Sequence, residues 1–270
     1  MMQIMKRKPY PSDLTDEQWV RLAPHLPPAQ ARGAPRRVNL REIINALLYL
    51  SRTGCQWRML PHDLPRWETV YAYFSQWRGD GTWERLNREL RIEVRVSEGR
   101  DPEPSAVILD SQSVKTTESS GVRGYDAGKK VNGVKRHVLV DTLGLIVKVV
   151  VHTADIQDRD GARLLLAKVQ GGLPRLQKIW ADGGYAGTLV TWVQETCHWI
   201  LEIVKRSDVA KGFELLPHRW IVERTFGWLN RSRRLSKNYE RLTASSEAMV
   251  YLAMLPVMTR RLAKQQTCFS

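Results

Sequence analysis

The sequence predicts an α/β protein in which a mixed sheet follows a small all-helical region. Residues 105–270 alternate short apolar runs, typical of buried strands, with amphipathic helical patterns. Residues 1–96 contain short helical patterns joined by Gly and Pro turns. We therefore expect a helical domain at 1–96, a linker at 97–104 and an α/β domain at 105–270, which a chain of 270 residues can accommodate.

The helices of the first region have recognisable ends. In "PSDLTDEQWVRL" Asp13 or Thr15 is the expected N-cap, and in "NLREIINALLYLSRTG" the helix should stop at Gly54. Two more helices are predicted in "RWETVYAYFSQWRG" and "TWERLNRELRIEV". Their tight turns and arginines fit a helix-turn-helix unit that binds DNA. A helical cap that dimerises or packs on the next domain would show the same pattern.

Five strands are predicted in the second region. "AVILDSQ" is the first, "KRHVLVDTLGLIVKVVVHTA" is a hairpin, and "LQKIWADGGY" and "WILEIVKRS" are the last two. Helices are predicted in "DRDGARLLLAKVQ" and "TLVTWVQETCH", and two more close the chain at 217–235 and 244–263. This order indicates a mixed sheet with flanking helices.

Charge and composition narrow the function. A net charge of +14 and a pI near 10.0 favour a polyanionic partner, although a merely soluble basic protein is the alternative. No run approaches the roughly 20 apolar residues of a membrane span, and the first residues turn polar too soon for an export signal. The isolated Cys55, Cys197 and Cys268 are therefore read as reduced thiols in a cytoplasm.

Three carboxylates stand at positions where chemistry gathers in α/β proteins. Asp110 is expected to end the first strand, and Asp182 ends the fourth before Gly-Gly. Either residue alone fits a structural turn better than a catalytic role. Glu223 lies on the polar side of a late helix, four residues after Arg219, and alone it fits an ion pair. Together the three carboxylates can converge on two hard divalent cations, as in enzymes that displace groups at phosphorus.

Basic residues around these acids are the expected DNA contacts. The glycine-rich "GVRGYDAGKKVNGVKRH" is read as a mobile basic loop, Asp158 as part of a helix cap, and His137 and His152 as satisfied structural residues on strands. The residues predicted to bind DNA are Lys115, Lys129, Lys130, Lys135, Arg136, Arg219, Arg231, Arg233 and Arg234.

These motifs resemble those of bacterial insertion-sequence transposases of the DDE type, in the IS-five family of the IS-four-like superfamily. "LTDEQW" and "INALLYLSRTGCQWRMLP" are similar to that family's N-terminal region. "LDSQSVKT", "GYDAGKKVNGVKRH", "WADGGYAG" and "HRWIVERTFGWLNRSRRLSKNYE" are similar to its catalytic domain. The resemblance implies an RNase H-like fold in which Asp110, Asp182 and Glu223 are the catalytic metal ligands. It also implies two divalent ions, Mg²⁺ or as a substitute Mn²⁺.

The resemblance further implies cleavage and joining of DNA at the inverted repeats of a mobile element. The partners would be double-stranded DNA, at element ends and target, and further copies of the chain in a dimer or higher oligomer. No membrane partner is expected. The protein would be located in a bacterial cytoplasm, associated with the nucleoid. A metal nuclease or resolvase without strand transfer, or an inactive DNA-binding derivative, are the alternatives.

One part of the family pattern is not followed. A related signature reads Tyr-x2-Arg-x3-Glu-x6-Lys or Arg. Arg219 and Glu223 match it, whereas Leu216 and Asn230 occupy its first and last positions. Arg231 follows directly and can take part of the last role. The departure leaves the three carboxylates intact but does not support carrying over the family's DNA-end contacts beyond Arg219.

Overall fold

A computed structural model describes residues 7–28, 38–118, 120–204 and 218–266, so Leu216 lies outside the described residues. It contains the mixed sheet that the sequence predicts, with six strands rather than five. The strands are β1 (Ala106–Lys115), β2 (Gly124–Asp126), β3 (Val131–Asp141), β4 (Ile146–Thr153), β5 (Lys178–Ala181) and β6 (Ile200–Ile203). The additional strand, β2, pairs antiparallel with β3 inside the stretch predicted as a mobile loop, so that part of the prediction is wrong.

Strand pairing divides the sheet into an antiparallel and a parallel half. β3 runs antiparallel to β1 and to β4, whereas β5 runs parallel to β1 and to β6. β1 pairs with β3 along its whole length but with β5 only as far as Ile108 and Trp180. The prediction that Asp110 ends its strand is therefore wrong. β1 continues to Lys115 because it pairs with β3 over that length. Beyond Ile108, none of the described strands pairs with this edge of β1, although Asn238 donates to the carbonyl of Lys115 at its end.

The described helices are α1 (Asp16–Leu22), α2 (Leu40–Thr53), α3 (Trp67–Gly79), α4 (Thr82–Ser97), α5 (Asp158–Val169), α6 (Thr188–Trp192), α7 (Arg219–Leu229) and α8 (Thr243–Gln266). Gly54 ends α2 with a positive φ of 73°, a conformation that favours glycine. The predicted helix at 217–235 is shorter than expected: α7 stops at Leu229, and a separate turn forms at Arg233–Leu235. None of the described helices is long and apolar enough to cross a bilayer.

Two apolar cores lie on opposite faces of the sheet. Val107 and Leu109 of β1 face α5 and α6, whereas Ile108 faces the core that contains α7 and α8. The second core also includes the buried faces of α1 to α4, and α8 packs directly against all four of these helices. The boundaries at 96 and 105 stay a prediction, but the N-terminal helices share their core with the end of the chain.

Helix α1 has a complete capping box. Thr15 accepts a hydrogen bond from the backbone N–H of Gln18, whose side chain accepts one from the backbone of Thr15. We expect Thr15→Ala to lower the free energy of unfolding by about 1 kcal/mol, because an N–H of the first turn loses its acceptor. Urea denaturation measures this change. Thr15→Ser keeps the hydroxyl and should lose little; an equal loss in both variants would contradict the capping role.

Candidate active site

The register of the two parallel strands places two carboxylates side by side. Ile108 of β1 lies opposite Trp180 of β5, and two residues farther along each chain come Asp110 and Asp182. Side chains two residues apart leave a strand on the same face, so both acids project toward α7. Asp182 lies just past the end of β5, where its carboxylate accepts a hydrogen bond of 2.9 Å from the N–H of Gly184. The pair predicted from sequence is therefore brought together by sheet geometry.

Arg219 reaches this pair from the first turn of α7. Its Nη2 lies 3.8 Å from Oδ2 of Asp110 and 3.6 Å from Oδ2 of Asp182. These separations are longer than hydrogen bonds, so one guanidinium lies between two carboxylates without binding either tightly. The preceding residue, His218, stacks on Trp180 with ring centres 4.1 Å apart and so ties the start of α7 to β5. No local sequence pattern predicts that contact.

Burial makes Asp110 an unusual acid. Its surroundings raise the pKa of Asp110 from 3.8 to about 6, chiefly because burial penalises the charged form. The nearby charge of Asp182 raises this pKa further, while the N–H of Ser111 and the guanidinium of Arg219 oppose the rise. Two carboxylates that share one loosely bound cation suit a divalent ion, which prefers carboxylate oxygens and would supply the missing positive charge. Asp110 and Asp182 fit such a group.

Glu223 does not join the pair. It lies one turn after Arg219, on the exposed side of α7. Within the described part of the chain it makes no ion pair, because Arg219 turns toward the aspartates instead. No three His, Cys, Asp or Glu side chains among the described residues come close enough together to hold a metal. Neither the simple ion pair with Arg219 nor an assembled three-carboxylate site is therefore present, and the ligand role of Glu223 stays a prediction.

The residues predicted to bind DNA divide by burial. The side chains of Lys115, Lys129, Lys130, Arg231 and Arg233 are exposed. Lys135, Arg136 and Arg234 are instead buried, with 4%, 2% and 7% exposure, which leaves their charged groups little access to a DNA phosphate. Each has its charged group taken by the protein itself. Arg136 donates to the carbonyl of Leu235, and Arg234 pairs with Glu240 and donates to the carbonyl of Cys55.

The remaining buried cation, Lys135, belongs to a polar cluster that sequence reasoning missed. Its Nζ lies 3.0 Å from Oδ1 of Asp158, which also accepts a hydrogen bond of 3.0 Å from the hydroxyl of Ser111. Asp158 is therefore more than the cap residue predicted from its place at the start of α5. His137 and His152 stack beside it, with Nδ1 of the first 2.9 Å from Nε2 of the second. No local sequence pattern predicts this cluster, because its members are far apart in the sequence.

Comparisons with known proteins agree with this architecture. Residues 101–257 match the family model described as the transposase DDE domain, and residues 14–87 match a model for transposases of the IS4/5 family. The first match covers more than half of the chain and includes all three predicted catalytic carboxylates. It implies an RNase H-like fold, in keeping with the mixed sheet, and use of divalent metal.

Two relatives support the same family. An uncharacterized protein of insertion element IS402 from Burkholderia cepacia is 29% identical over 124 residues, which are 44% of this chain and 78% of the relative. An uncharacterized protein, y4sN, of Sinorhizobium fredii is 26% identical over 117 residues, 43% of this chain and 87% of the relative. No solved structure matches significantly. From its sheet, its paired aspartates and these matches, the chain belongs to the DDE transposases of the IS4/IS5 type.

Proposed function

We propose that this transposase binds the terminal inverted repeats of its element and cleaves and joins DNA there by metal-dependent in-line phosphoryl transfer. The observation that carries the proposal is the placement of Asp110, on β1, beside Asp182, just past the end of the neighbouring β5, with Arg219 between them. Two partly buried carboxylates that face one loosely held guanidinium suit phosphate chemistry better than a structural role, because a structural Asp–Arg pair would lie within hydrogen-bond distance.

Each group of the site has an assigned part. Asp110 and Asp182 would hold the divalent cations, Mg²⁺ or Mn²⁺, and Glu223 would complete the set. When bound, such cations stabilise the charge that develops on attacking and leaving oxygens. Arg219 already lies at the carboxylate pair, and its planar guanidinium is suited to a phosphate oxygen of the scissile strand. Its present contacts with the aspartates are long, so exchanging them for phosphate costs little.

DNA would lie along the basic surface that surrounds the site. Lys129 is exposed, and its Nζ donates to the carbonyl of Ser111 at 3.3 Å, next to Asp110. Arg231 and Arg233 follow α7, and Arg52 of α2 donates to the carbonyl of Arg231. This contact joins the N-terminal helices to the end of α7. A duplex held by these residues would reach from the cleavage site to the helices proposed to recognise the inverted repeats.

A groove between the N-terminal helices and the start of α8 extends this surface. Its volume is about 540 Å³, and its lining includes aromatic rings and arginines: Trp57, Trp67, Tyr71, Arg58, Arg78 and Arg241. The carboxylate in its lining, Glu240, is neutralised by Arg234. Aromatic rings interleaved with guanidinium groups are typical of nucleic-acid surfaces. The groove therefore supports a DNA-binding role for the N-terminal helices.

Catalysis is tested with a duplex of the element's end and Mg²⁺. We expect a nick that leaves a 3′-OH, followed by joining of that end to a second duplex. Joining of paired ends would require at least two copies of the chain with both ends bound, which sedimentation of the complex would detect. Cleavage without joining would instead favour a nuclease or resolvase, and binding without cleavage would favour an inactive DNA-binding derivative.

The exposed cations offer a separate prediction. Lys130→Ala and Arg233→Ala should each weaken binding to end duplex and to random duplex alike. Each should also lower the salt dependence of log Kd by about 1, because one phosphate contact is lost. Arg100→Ala, at an exposed position just after α4, is the matched control and should change neither quantity. Fluorescence anisotropy at several salt concentrations measures both quantities. An unchanged salt slope in a variant would show that the substituted residue does not contact a DNA phosphate.

A further inference from the structure

Charged side chains bind the strand that carries Asp110 on its opposite face. Successive side chains of a strand point to opposite faces, so Ser111 and Ser113 face away from Arg219. The hydroxyl of Ser111 donates to Asp158 at 3.0 Å, and that of Ser113 donates to Asp126 at 2.6 Å. Both serines follow Asp110 within three residues. The part of β1 that presents Asp110 is thus tied down just where β5 no longer supports it.

Lys135 of β3 connects these two ties. Its Nζ lies 3.0 Å from Asp158, 3.6 Å from Asp126 and 2.9 Å from the carbonyl of Ile156, to which it donates. Only 5% of the lysine side chain is exposed, compared with 10% of Asp126 and 30% of Asp158. One buried ammonium group therefore links β3, the start of α5 and both serines of β1.

The same cluster borders the second carboxylate. A Cβ atom placed on Gly184 would lie 3.1 Å from Oδ1 of Asp182 and 3.6 Å from Oδ2 of Asp158. Asp158 therefore borders the turn that presents Asp182, while its other oxygen receives Ser111 beside Asp110. Through this one side chain, the cluster binds Ser111 next to Asp110 and lies near Gly184, which follows Asp182.

We propose that Lys135 and Asp158 are positioning residues for the Asp110–Asp182 pair, an inference that rests on the proposed function. Burying an ammonium and two carboxylates costs desolvation energy, and well-packed apolar residues would often hold a strand at least as well. What charged groups add is a fixed geometry and a positive charge beside a site rich in negative charge. Lys135 belongs to the glycine-rich basic stretch that was expected to contact DNA. Its side chain instead points into the protein, where it supports the two carboxylates.

The test compares Asp158→Asn, Ser111→Ala and Lys135→Met with the wild type. Three quantities are measured: the Mn²⁺ concentration that gives half of the metal-induced rise in Tm without DNA, the cleavage rate at saturating DNA, and the Kd for DNA. Loss of a residue that orients a metal ligand typically lowers metal affinity or activity about 10–100-fold. We expect a loss of this size in Asp158→Asn and Lys135→Met, a smaller one in Ser111→Ala, and an unchanged Kd for DNA.

The ion pair between Lys148 and Glu84 provides a matched control on the same sheet, away from the carboxylates. Lys148→Met should leave both the metal midpoint and the cleavage rate at wild-type values. Lys135→Arg keeps the charge and should recover part of the loss seen in Lys135→Met. A merely structural role would change Tm in the absence of metal without moving the metal midpoint.

Two results would overturn the inference while leaving the proposed function standing. One is a wild-type metal midpoint and rate in folded Asp158→Asn and Ser111→Ala. The other is a weaker Kd for DNA in Lys135→Met with an unchanged rate at saturating DNA, which would make Lys135 a DNA contact. If Lys135→Met does not fold, the inference is tested with Ser111→Ala, because that variant removes only a single hydroxyl. A wild type that neither responds to Mn²⁺ nor cleaves would overturn the proposed function, and this inference with it.

Discussion

Asp110→Asn is expected to abolish DNA cleavage, with a loss of at least ~10³-fold, in a chain that remains folded. The reason is that a bound divalent ion contributes several kcal/mol of charge stabilisation, and each 1.36 kcal/mol changes the rate about tenfold. Asp182→Asn should lose as much, since the register places the two carboxylates level with each other. Cleavage of an end duplex under single-turnover conditions measures both variants. Asp160→Asn, at an exposed position of α5, is the matched control and should cleave at the wild-type rate.

The same substitution should stabilise the protein in the absence of metal. The pKa of Asp110 rises from 3.8 to about 6 on folding, so the folded chain holds this proton more tightly than the unfolded chain does. Stability therefore falls as the pH rises through this range, and the loss, on the order of 2–3 kcal/mol, is complete above it. In EDTA at pH 8, Asp110→Asn should melt at a higher temperature than the wild type. At pH 4 the two should be close.

A lower Tm of Asp110→Asn at pH 8 would show that the carboxylate stabilises the fold instead of straining it. A wild-type cleavage rate in either aspartate variant would remove the pair from the catalytic machinery. The two measurements are independent, because thermal melting is followed without DNA or metal. Loss of activity caused by unfolding is thereby separated from loss of a ligand.

Glu223→Gln should lower cleavage at least ~10²-fold with no change in Tm. Glu223 is exposed and has no ion pair within the described residues, so its charge contributes little to stability. It lies one helical turn from Arg219, on the same side of α7, and can approach the aspartates if Arg219 turns to a phosphate. We expect DNA and metal together to bring that rearrangement about. Glu98→Gln, at an exposed position after α4, is the control.

The readout must distinguish a ligand from a bystander. If Glu223 is a ligand, the variant needs more Mn²⁺ than the wild type for half-maximal cleavage. If it only faces solvent, both the rate and the Mn²⁺ requirement stay at wild-type values, and the two aspartates act without it. The starting arrangement, with Arg219 at the pair and Glu223 outside it, is what makes this variant informative.

Most elements of the fold could be predicted because their signals are local. The capping box at Thr15, the helix stop at Gly54 and the hairpin of β3 and β4 each depend on residues within a few positions of one another. The length of β1 could not be predicted, because its second half exists only through pairing with β3. The end of α7 could not be predicted either, because the basic stretch after Leu229 forms a separate turn that packs against Gly54, far away in the sequence.

The sequence alone was sufficient for the family and the fold class, since motifs and apolar periodicity can be recognised without coordinates. Which cations are exposed and which are buried was decided only by the tertiary structure. Lys135, Arg136 and Arg234 look like their exposed neighbours in the sequence, yet partners distant along the chain bury them. The physical reason is that a charged side chain is buried only where a hydrogen-bond or ion-pair partner is available. Which residues come into contact as such partners is determined by the fold.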